Sequence, residues 1–312
     1  MTTSVSIVVP VYKSAEILPE LVERVSGVLA TIPGQHELVL VDDGSPDRSF
    51  EVIEQLARAR SGVRGIRLMR NYGQHSALLC GIRAAAGDVV VTLDDDLQNP
   101  PEEIPRLLSK LAEGFDVVYG TPEVQQHGFL RDLASRVTKL TLQKAMGAET
   151  AGQVSAYRAF RTELRGAFVD FRGHHVSIDV LLTWATTRFA ALRVRHEPRR
   201  HGTSHYTLRK LLDHALNMLT GFSTFPLQLA SLTGFVFTLF GAGVLVYVVA
   251  SYFLRGEHVA GFAFLASIIA IFSGSQLFAL GILGEYLARM HFRMMDRPSY
   301  AVRATTDARG AS

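Results

Sequence analysis

Three consecutive carboxylates end an apolar run at Val90-Val91-Thr92-Leu93-Asp94-Asp95-Asp96, and Gln98 follows two residues later. Acids crowded at a strand tip repel one another unless a cation sits among them. Hard divalent cations such as Mg²⁺ or Mn²⁺ take oxygen ligands, usually one or two carboxylates plus substrate phosphates. Asp94, Asp96 and Gln98 are therefore candidate metal ligands for a phosphorylated substrate. An acidic loop capping the next helix, which starts at Pro100-Pro101-Glu102-Glu103, would leave the same pattern. A second acid pair, Asp42-Asp43, ends another apolar run and could accept hydrogen bonds from a nucleotide base and ribose. A basic set, Arg131, Arg158, Arg199 and His205, could neutralise phosphate, since an Arg fork matches phosphate oxygens two at a time.

The elements that would carry these residues alternate. Strand-like runs lie at Val5–Val11, Leu38–Val41, Val63–Met69, Val89–Leu93, Phe115–Gly120, Val154–Phe160 and Leu192–His196. Helical periodicity covers Ile17–Leu29, Phe50–Ala59, Ser76–Ala86, Ile104–Leu111, Arg131–Met146, Glu163–Phe168 and Ile178–Thr187. Apolar strands alternating with helices predict a mostly parallel α/β sheet covered on both faces. Ligands of such sheets bind at the carboxyl ends of the strands, where both acidic groups fall. A dinucleotide fold would place a Gly-rich turn after the first strand. Tyr12-Lys13-Ser14-Ala15-Glu16 stands there instead, and no Walker-type loop occurs, so phosphate must be held by metal and basic side chains.

Formal net charge is only +3 over 312 residues, which gives no case for nucleic acid. The one cysteine, Cys80, excludes an internal disulfide and a cysteine zinc cage, and its apolar neighbours predict burial. Trp184 is expected in the core. The first residues lack the basic-then-apolar pattern of a signal peptide.

The chain is 48% hydrophobic, and the excess is concentrated near its end. Neither Leu227–Leu254 nor Val259–Leu283 carries a charged side chain, and each exceeds the roughly 20 apolar residues a bilayer crossing needs. Arg255-Gly256-Glu257-His258 joins them as a hairpin. Arg193, Arg195, Arg199, Arg200, Arg209 and Lys210 precede the pair, and Arg289, Arg293, Arg297 and Arg303 follow it. The positive-inside rule then predicts a multi-pass protein with both termini in the cytoplasm. Tyr206–Phe225 has one apolar and one polar face, as expected of a helix lying in the membrane interface. Gly241, Gly243, Gly274 and Gly281 offer small-residue faces for self-association into a homo-oligomer.

These features together suit a nucleotide-sugar transferase acting on a lipid phosphate. Such an acceptor is already largely dianionic at neutral pH, because its second pKa is about 6. Positioning it matters more than deprotonating it.

Ser6–Tyr12, Val41-Asp42-Asp43-Gly44-Ser45 and Asp94-Asp95-Asp96 resemble the GT-A fold of glycosyltransferase family 2. Arg70-Asn71-Tyr72-Gly73-Gln74-His75-Ser76-Ala77, Asp96-Leu97-Gln98-Asn99-Pro100-Pro101-Glu102 and Leu283-Gly284-Glu285-Tyr286 narrow the likeness. They resemble the polyprenyl-phosphate branch, related to dolichol-phosphate-mannose synthase, over about Ser4 to Tyr300. The resemblance implies a metal-dependent inverting transferase using Mg²⁺ or Mn²⁺. It would move a sugar from a nucleoside-diphosphate donor to undecaprenyl or a similar polyprenyl phosphate at the bacterial inner membrane, for cell-envelope modification. It places Pro10, Tyr12, Asp42, Asp43 and Gln74 at the nucleotide, and Asp94, Asp96 and Gln98 at the metal and diphosphate. Arg131 and Ser135 would face the lipid phosphate, and Arg158 the donor diphosphate or sugar. Arg199-Arg200-His201-Gly202-Thr203-Ser204-His205-Tyr206 would close over the donor, with Arg199, Ser204 and His205 on its phosphates. Asp95 stands where Ala is usual and His205 where Lys is usual.

The implied architecture is a GT-A type, mostly parallel α/β domain over residues 1–205, an interfacial helix over 206–226, two transmembrane helices over 227–284 and a cytoplasmic tail over 285–312. Two alternatives stay open. A processive polysaccharide synthase would carry a Gln-x-x-Arg-Trp-type motif, which is absent around Trp184. A membrane scaffold without catalysis would have no need of Asp94, Asp96, Gln98 and Arg199.

Overall fold

In the computed structural model, residues 3–122, 153–173, 176–197, 225–255, 261–295 and 297–306 are described. They form two compact units: residues 1–211 with 296–312, and residues 212–295.

The first unit is built on one eight-stranded sheet. In chain order the strands are β1 (Val5–Val11), β2 (His36–Asp42), β3 (Val63–Leu68), β4 (Val89–Thr92), β5 (Val117–Pro122), β6 (Arg158–Arg161), β7 (Phe189–Val194) and β8 (Val302–Thr305). Their spatial order is β7-β5-β6-β4-β1-β2-β3-β8. β1 runs parallel to β2 and β4, β2 to β3, and β5 to β7. β6 is antiparallel to both β4 and β5, and β8 is antiparallel to β3. The sheet is thus mostly parallel, as its apolar strands require, and β4-β1-β2 at its centre aim both acidic tips at one end.

Helices α1 (Leu18–Leu29), α2 (Ser49–Ala59) and α4 (Ile104–Ala112) cover one face. Leu18, Leu21, Val22 and Val25 of α1, Ile53 of α2 and Leu107 of α4 join Ile7, Val9, Leu40 and Val91 in a single core, each fully buried. Fully burying one such side chain contributes about 1.5–3 kcal/mol. Helix α3 (Gln74–Ala84) lies on the other face. It approaches so closely that a Cβ on Gly81 would stand 2.3 Å from Val8 Cγ1. Helix α5 (Ile178–Ala185) accompanies it.

Three local expectations are corrected. The segment around 163–168 is a 3-10 turn, Thr162–Ala167, rather than an α-helix. Trp184 is 51% exposed and packs edge-on against Phe171, 5.7 Å between ring centroids, instead of entering the core. Residues 285–312 are not one tail. The last long helix continues to Met294, and Val302–Thr305 returns to the sheet edge. That return is firmly tied. Met69 N–H donates to Ala301 O at 2.9 Å, and Gly65 N–H to Thr306 Oγ1 at 2.8 Å. Ser299 Oγ donates to Gly173 O at 2.9 Å, and Arg83 stacks on Tyr300. Cys80 is buried as expected, and burial pushes its thiol up to about 12.

The second unit contains α6 (Phe225–Arg255) and α7 (Phe262–Met294). Leu227–Ser251 and Ile271–Ala288 are each long and apolar enough to cross a membrane. Their apolar side chains are largely exposed, as at Leu232, Phe235, Leu245, Leu277 and Phe278. The helices pack together through Phe237 and Phe272, with Gly241 against the Phe272 ring, so that glycine already serves a contact within the chain. The expected helices over 131–146 and 206–225 lie outside the described residues.

Candidate active site

β1 ends between the two acidic tips, and the chain just after it ties them together. Tyr12 N–H and Ser14 Oγ donate to the same oxygen of Asp95, Oδ2, at 3.2 and 2.5 Å. Lys13 N–H donates to Ser45 Oγ at 3.1 Å and Ser14 N–H to Ser49 Oγ at 3.0 Å. Asp43 N–H donates to Val11 O at 2.9 Å. Asp95, the outlier of the triplet, thus points back to hold the loop after β1. Burial raises its carboxyl, opposed by the bonds from Ser14 and Tyr12.

The pair after β2 is also turned to protein partners. Asp42 is fully buried. Its Oδ1 accepts from Ser45 N–H at 3.1 Å, and the Arg67 guanidinium lies 3.3 Å from Oδ2 without an aligned hydrogen bond. Burial raises its carboxyl. Asp42, expected with Asp43 at the nucleotide, is enclosed by Ser45 and Arg67. Asp43, 3% exposed, accepts Tyr72 N–H and Gly73 N–H at 2.7 and 2.8 Å, one on each oxygen. Burial pushes it up to about 6 against the opposing effect of those two bonds. Between these acids and Ser45, Gly44 adopts φ +65°, and a Cβ there would stand 2.5 Å from the Arg70 carbonyl carbon. Only glycine lets the Asp42-Asp43 corner meet the 70–73 segment.

Asp94 and Asp96, like Asp95, are half-buried at the strand end, whereas Asp42 and Asp43 are buried. Gln74, the first residue of α3, donates from Nε2 to Asp94 Oδ1 at 2.6 Å. Gln98 N–H donates to Asp96 Oδ1 at 3.1 Å. Leu97 between them has φ 55° and Lys13 has φ 59°, the two non-glycine residues with positive φ among those described. Left-handed strain of this kind concentrates at functional sites. Behind the loop, Tyr157 Oη donates to Pro100 O at 3.1 Å, and Gln98 O accepts Glu197 N–H at 2.8 Å. Arg24 bridges Glu102 and Glu197, so the strand that leads to Arg199 is fastened beside Gln98.

Among the described residues no three acids or histidines converge into a cage. Two half-open carboxylates and a neutral amide at one strand end fit a hard cation that takes its other ligands from a diphosphate and water. Tyr12 is 43% exposed, and Pro10 is buried within β1.

Arg158 pairs with Thr92, the last residue of β4, and its side chain is buried there. It is 1% exposed, donates from Nε to Thr92 Oγ1 at 3.0 Å, and forms an ion pair with Asp179. The guanidinium, expected by the donor diphosphate or sugar, is engaged by Thr92 and Asp179. Arg131, Ser135, Arg199, Ser204 and His205 lie outside the described residues. Sequence reasoning did not single out Ser14, Ser45, Ser49, Thr92, Tyr119 or Asp179. The three serines sit within a few residues of the strand ends, which was the available signal.

Residues 6–167 match the family described as Glycosyl transferase family 2. An undecaprenyl-phosphate 4-deoxy-4-formamido-L-arabinose transferase of Yersinia enterocolitica is 37% identical over 307 residues, spanning 97% of this chain and 94% of that one. The protein of the same name from Pseudomonas aeruginosa is 38% identical over 311 residues, spanning 97% and 92%. Among solved structures, glucosyl-3-phosphoglycerate synthase of Mycobacterium tuberculosis superposes with a TM-score of 0.50 at 20% identity, over 70% of this chain and 78% of that one. Mannosyl-3-phosphoglycerate synthase of Rubrobacter xylanophilus gives 0.50 at 18% identity, over 68% and 70%. These two share the fold. With its parallel centre, its acidic strand ends and relatives alike along nearly their whole length, the chain belongs to glycosyl transferase family 2.

Proposed function

We propose that the protein is a membrane-anchored inverting glycosyltransferase. It moves a sugar from a nucleoside-diphosphate donor to undecaprenyl or a similar polyprenyl phosphate, and the product serves cell-envelope modification. The observation that carries this reading is the contrast at the strand ends. Asp94 and Asp96 stand half-buried at the strand end near Gln74 and Gln98, while Asp42, Asp43 and Asp95 hold loops. Relatives named for transfer to undecaprenyl phosphate, alike over 97% of the chain, support the acceptor class.

In this reading Asp94, Asp96 and Gln98 would hold Mg²⁺ or Mn²⁺. Such a cation would supply positive charge to offset the negative charge developing on the departing nucleoside diphosphate. Tyr12 offers an exposed ring to the base, and Asp43 fixes the 72–73 backbone beside it. Arg131 and Ser135 position the lipid phosphate, while Arg199, Ser204 and His205 close on the donor phosphates. An acceptor phosphate oxygen forms a bond to the anomeric carbon as the bond from that carbon to the diphosphate breaks. No proton has to move, so the chain needs no general base and works by orientation and charge.

The anchor reading rests on α6 and α7. The chain leaves the sheet unit before these helices and rejoins it through β8 after them, as an even number of crossings requires. With basic flanks on both sides, the sheet unit and both termini belong in the cytoplasm, on the inner membrane of a bacterium.

Purified full-length protein, given polyprenyl phosphate, Mg²⁺ or Mn²⁺ and a panel of nucleotide sugars, should form a glycosyl-phospholipid with one donor, and chelation should stop it. Absence of product with every donor would contradict the proposal.

A further inference from the structure

Thr92, Arg158 and Tyr119 are direct cross-strand partners on β4, β6 and β5, so their side chains share one face of the sheet. That is the α3 face, because Thr92 also pairs with Val8, whose side chain lies under Gly81. A buried guanidinium needs a counter-charge and bonds for its donors. Asp179, in the first turn of α5, supplies the charge. The pairing is one-sided. Arg158 Nη1 donates to Asp179 Oδ1, and Tyr119 Oη donates to the same oxygen at 3.1 Å. Arg158 Nε turns to Thr92 Oγ1, which itself donates to Ala156 O at 2.6 Å. Burial raises the Tyr119 phenol well above its ordinary range, so it stays protonated and keeps donating.

Arg–carboxylate pairs frequently take a fork-on-fork geometry that occupies both oxygens. Here Oδ2 of Asp179 receives no hydrogen bond from the described residues, and the side chain is 14% exposed. Its location is specific. Thr92 lies two residues before Asp94. The first turn of α5 meets the first turn of α3, where Ile178 N–H donates to His75 Nδ1 at 3.4 Å, and the adjacent Gln74 bonds Asp94. Asp179 therefore stands at the same end of the sheet as Asp94 and Asp96, held by one oxygen and with no bond to the other from the described residues.

We propose that Asp179 Oδ2 contacts the transferred sugar, accepting a hydrogen bond from a hydroxyl or amino group, with Arg158 and Tyr119 as the residues that position it. This rests on the transferase reading above. A carboxylate repels the donor's diphosphate, whereas a sugar carries hydroxyl or amino hydrogens in need of an acceptor. Because Arg158 balances the charge, the spot suits a neutral or cationic sugar rather than an acidic one.

Asp179→Asn separates the two oxygens. The amide oxygen can keep the bonds from Tyr119 and Arg158, while the nitrogen replaces the open acceptor with a donor. With the panel donor that the wild type turns over fastest, the KM for the nucleotide sugar should rise about ten- to hundredfold. Affinity for the matching nucleoside diphosphate should stay within about twofold. If Asp179→Asn does not fold, the pair Arg158→Leu with Asp179→Leu removes both buried charges and should show the same loss of sugar-dependent affinity. A folded variant of either kind with an unchanged ratio of nucleotide-sugar to nucleoside-diphosphate affinity overturns the assignment. A wild type that neither binds nor uses any nucleotide sugar overturns the transferase reading itself.

Discussion

Two strand ends on either side of β1 carry the same residue type in the same position and use it differently. After β2, Asp42 and Asp43 are enclosed and answered by Ser45, Arg67, Tyr72 and Gly73. After β4, only the middle acid of three turns inward, while Asp94 and Asp96 stay half-open. Both ends concentrate negative charge. The first uses it to fix backbone; in the proposed function the second meets a ligand. The difference follows from what each acid can reach. Asp43 has two free backbone N–H groups in front of it. Asp94 and Asp96 are met by a glutamine side chain and a local backbone N–H.

The comparison breaks most sharply at its outward acids. Asp94→Asn and Asp96→Asn should each lower turnover roughly hundredfold to thousandfold, the scale on which removal of one charge-stabilising group acts. Their melting temperatures should stay close to the wild type, because neither carboxylate is a buried anchor. A variant that keeps wild-type turnover would show that these acids do not face the reaction. Asp95→Ala should behave in the opposite way. Loss of the bonds from Tyr12 and Ser14 should cost about 1–3 kcal/mol of stability in denaturant titration. Turnover should fall about tenfold or less, as the loop after β1 loosens.

The smallest effect concerns pH. Folding raises Asp43 from 3.8 to about 6, so the native protein holds a proton that the unfolded chain has already lost. This contributes stability that is fully present below about pH 4 and is lost as pH rises through about 6. Asn is neutral throughout. The melting temperature of Asp43→Asn, relative to wild type, should therefore rise between pH 4.5 and pH 7.5. A difference that is flat with pH would show that Asp43 is not held at a raised value.

Much of this contrast was invisible in the sequence, although the frame was legible. Apolar runs and helical spacing located β1 to β4 and α1 to α4 within a residue or two, since those strands are buried on both faces. β8 escaped because Val302-Arg303-Ala304-Thr305 is four residues on a sheet edge with little apolar pattern, and its partner β3 lies far away in the chain. Asp94 to Asp96 were recognisable as a site. Which acid turned inward was not, because it depends on Tyr12 and Ser14, which β1 brings from more than eighty residues away. The surroundings of Arg158 were hidden for a related reason. A lone arginine beside other phosphate candidates gives no sign that Asp179 will bury it. Trp184 looked like core by type, yet α5 buries Ile178, Leu181 and Leu182 and turns the indole outward.

The central claim is that the carboxylates after β4, and not those after β2, hold the cation and diphosphate. Mn²⁺ binding tests it directly, titrated in the presence of a nucleoside diphosphate with wild type, Asp94→Asn, Asp96→Asn and Asp43→Asn of the full-length protein. One ion should bind to wild type and to Asp43→Asn, and binding should be lost in both Asp94→Asn and Asp96→Asn. Undiminished binding in the last two, or equal loss in Asp43→Asn, would contradict the account.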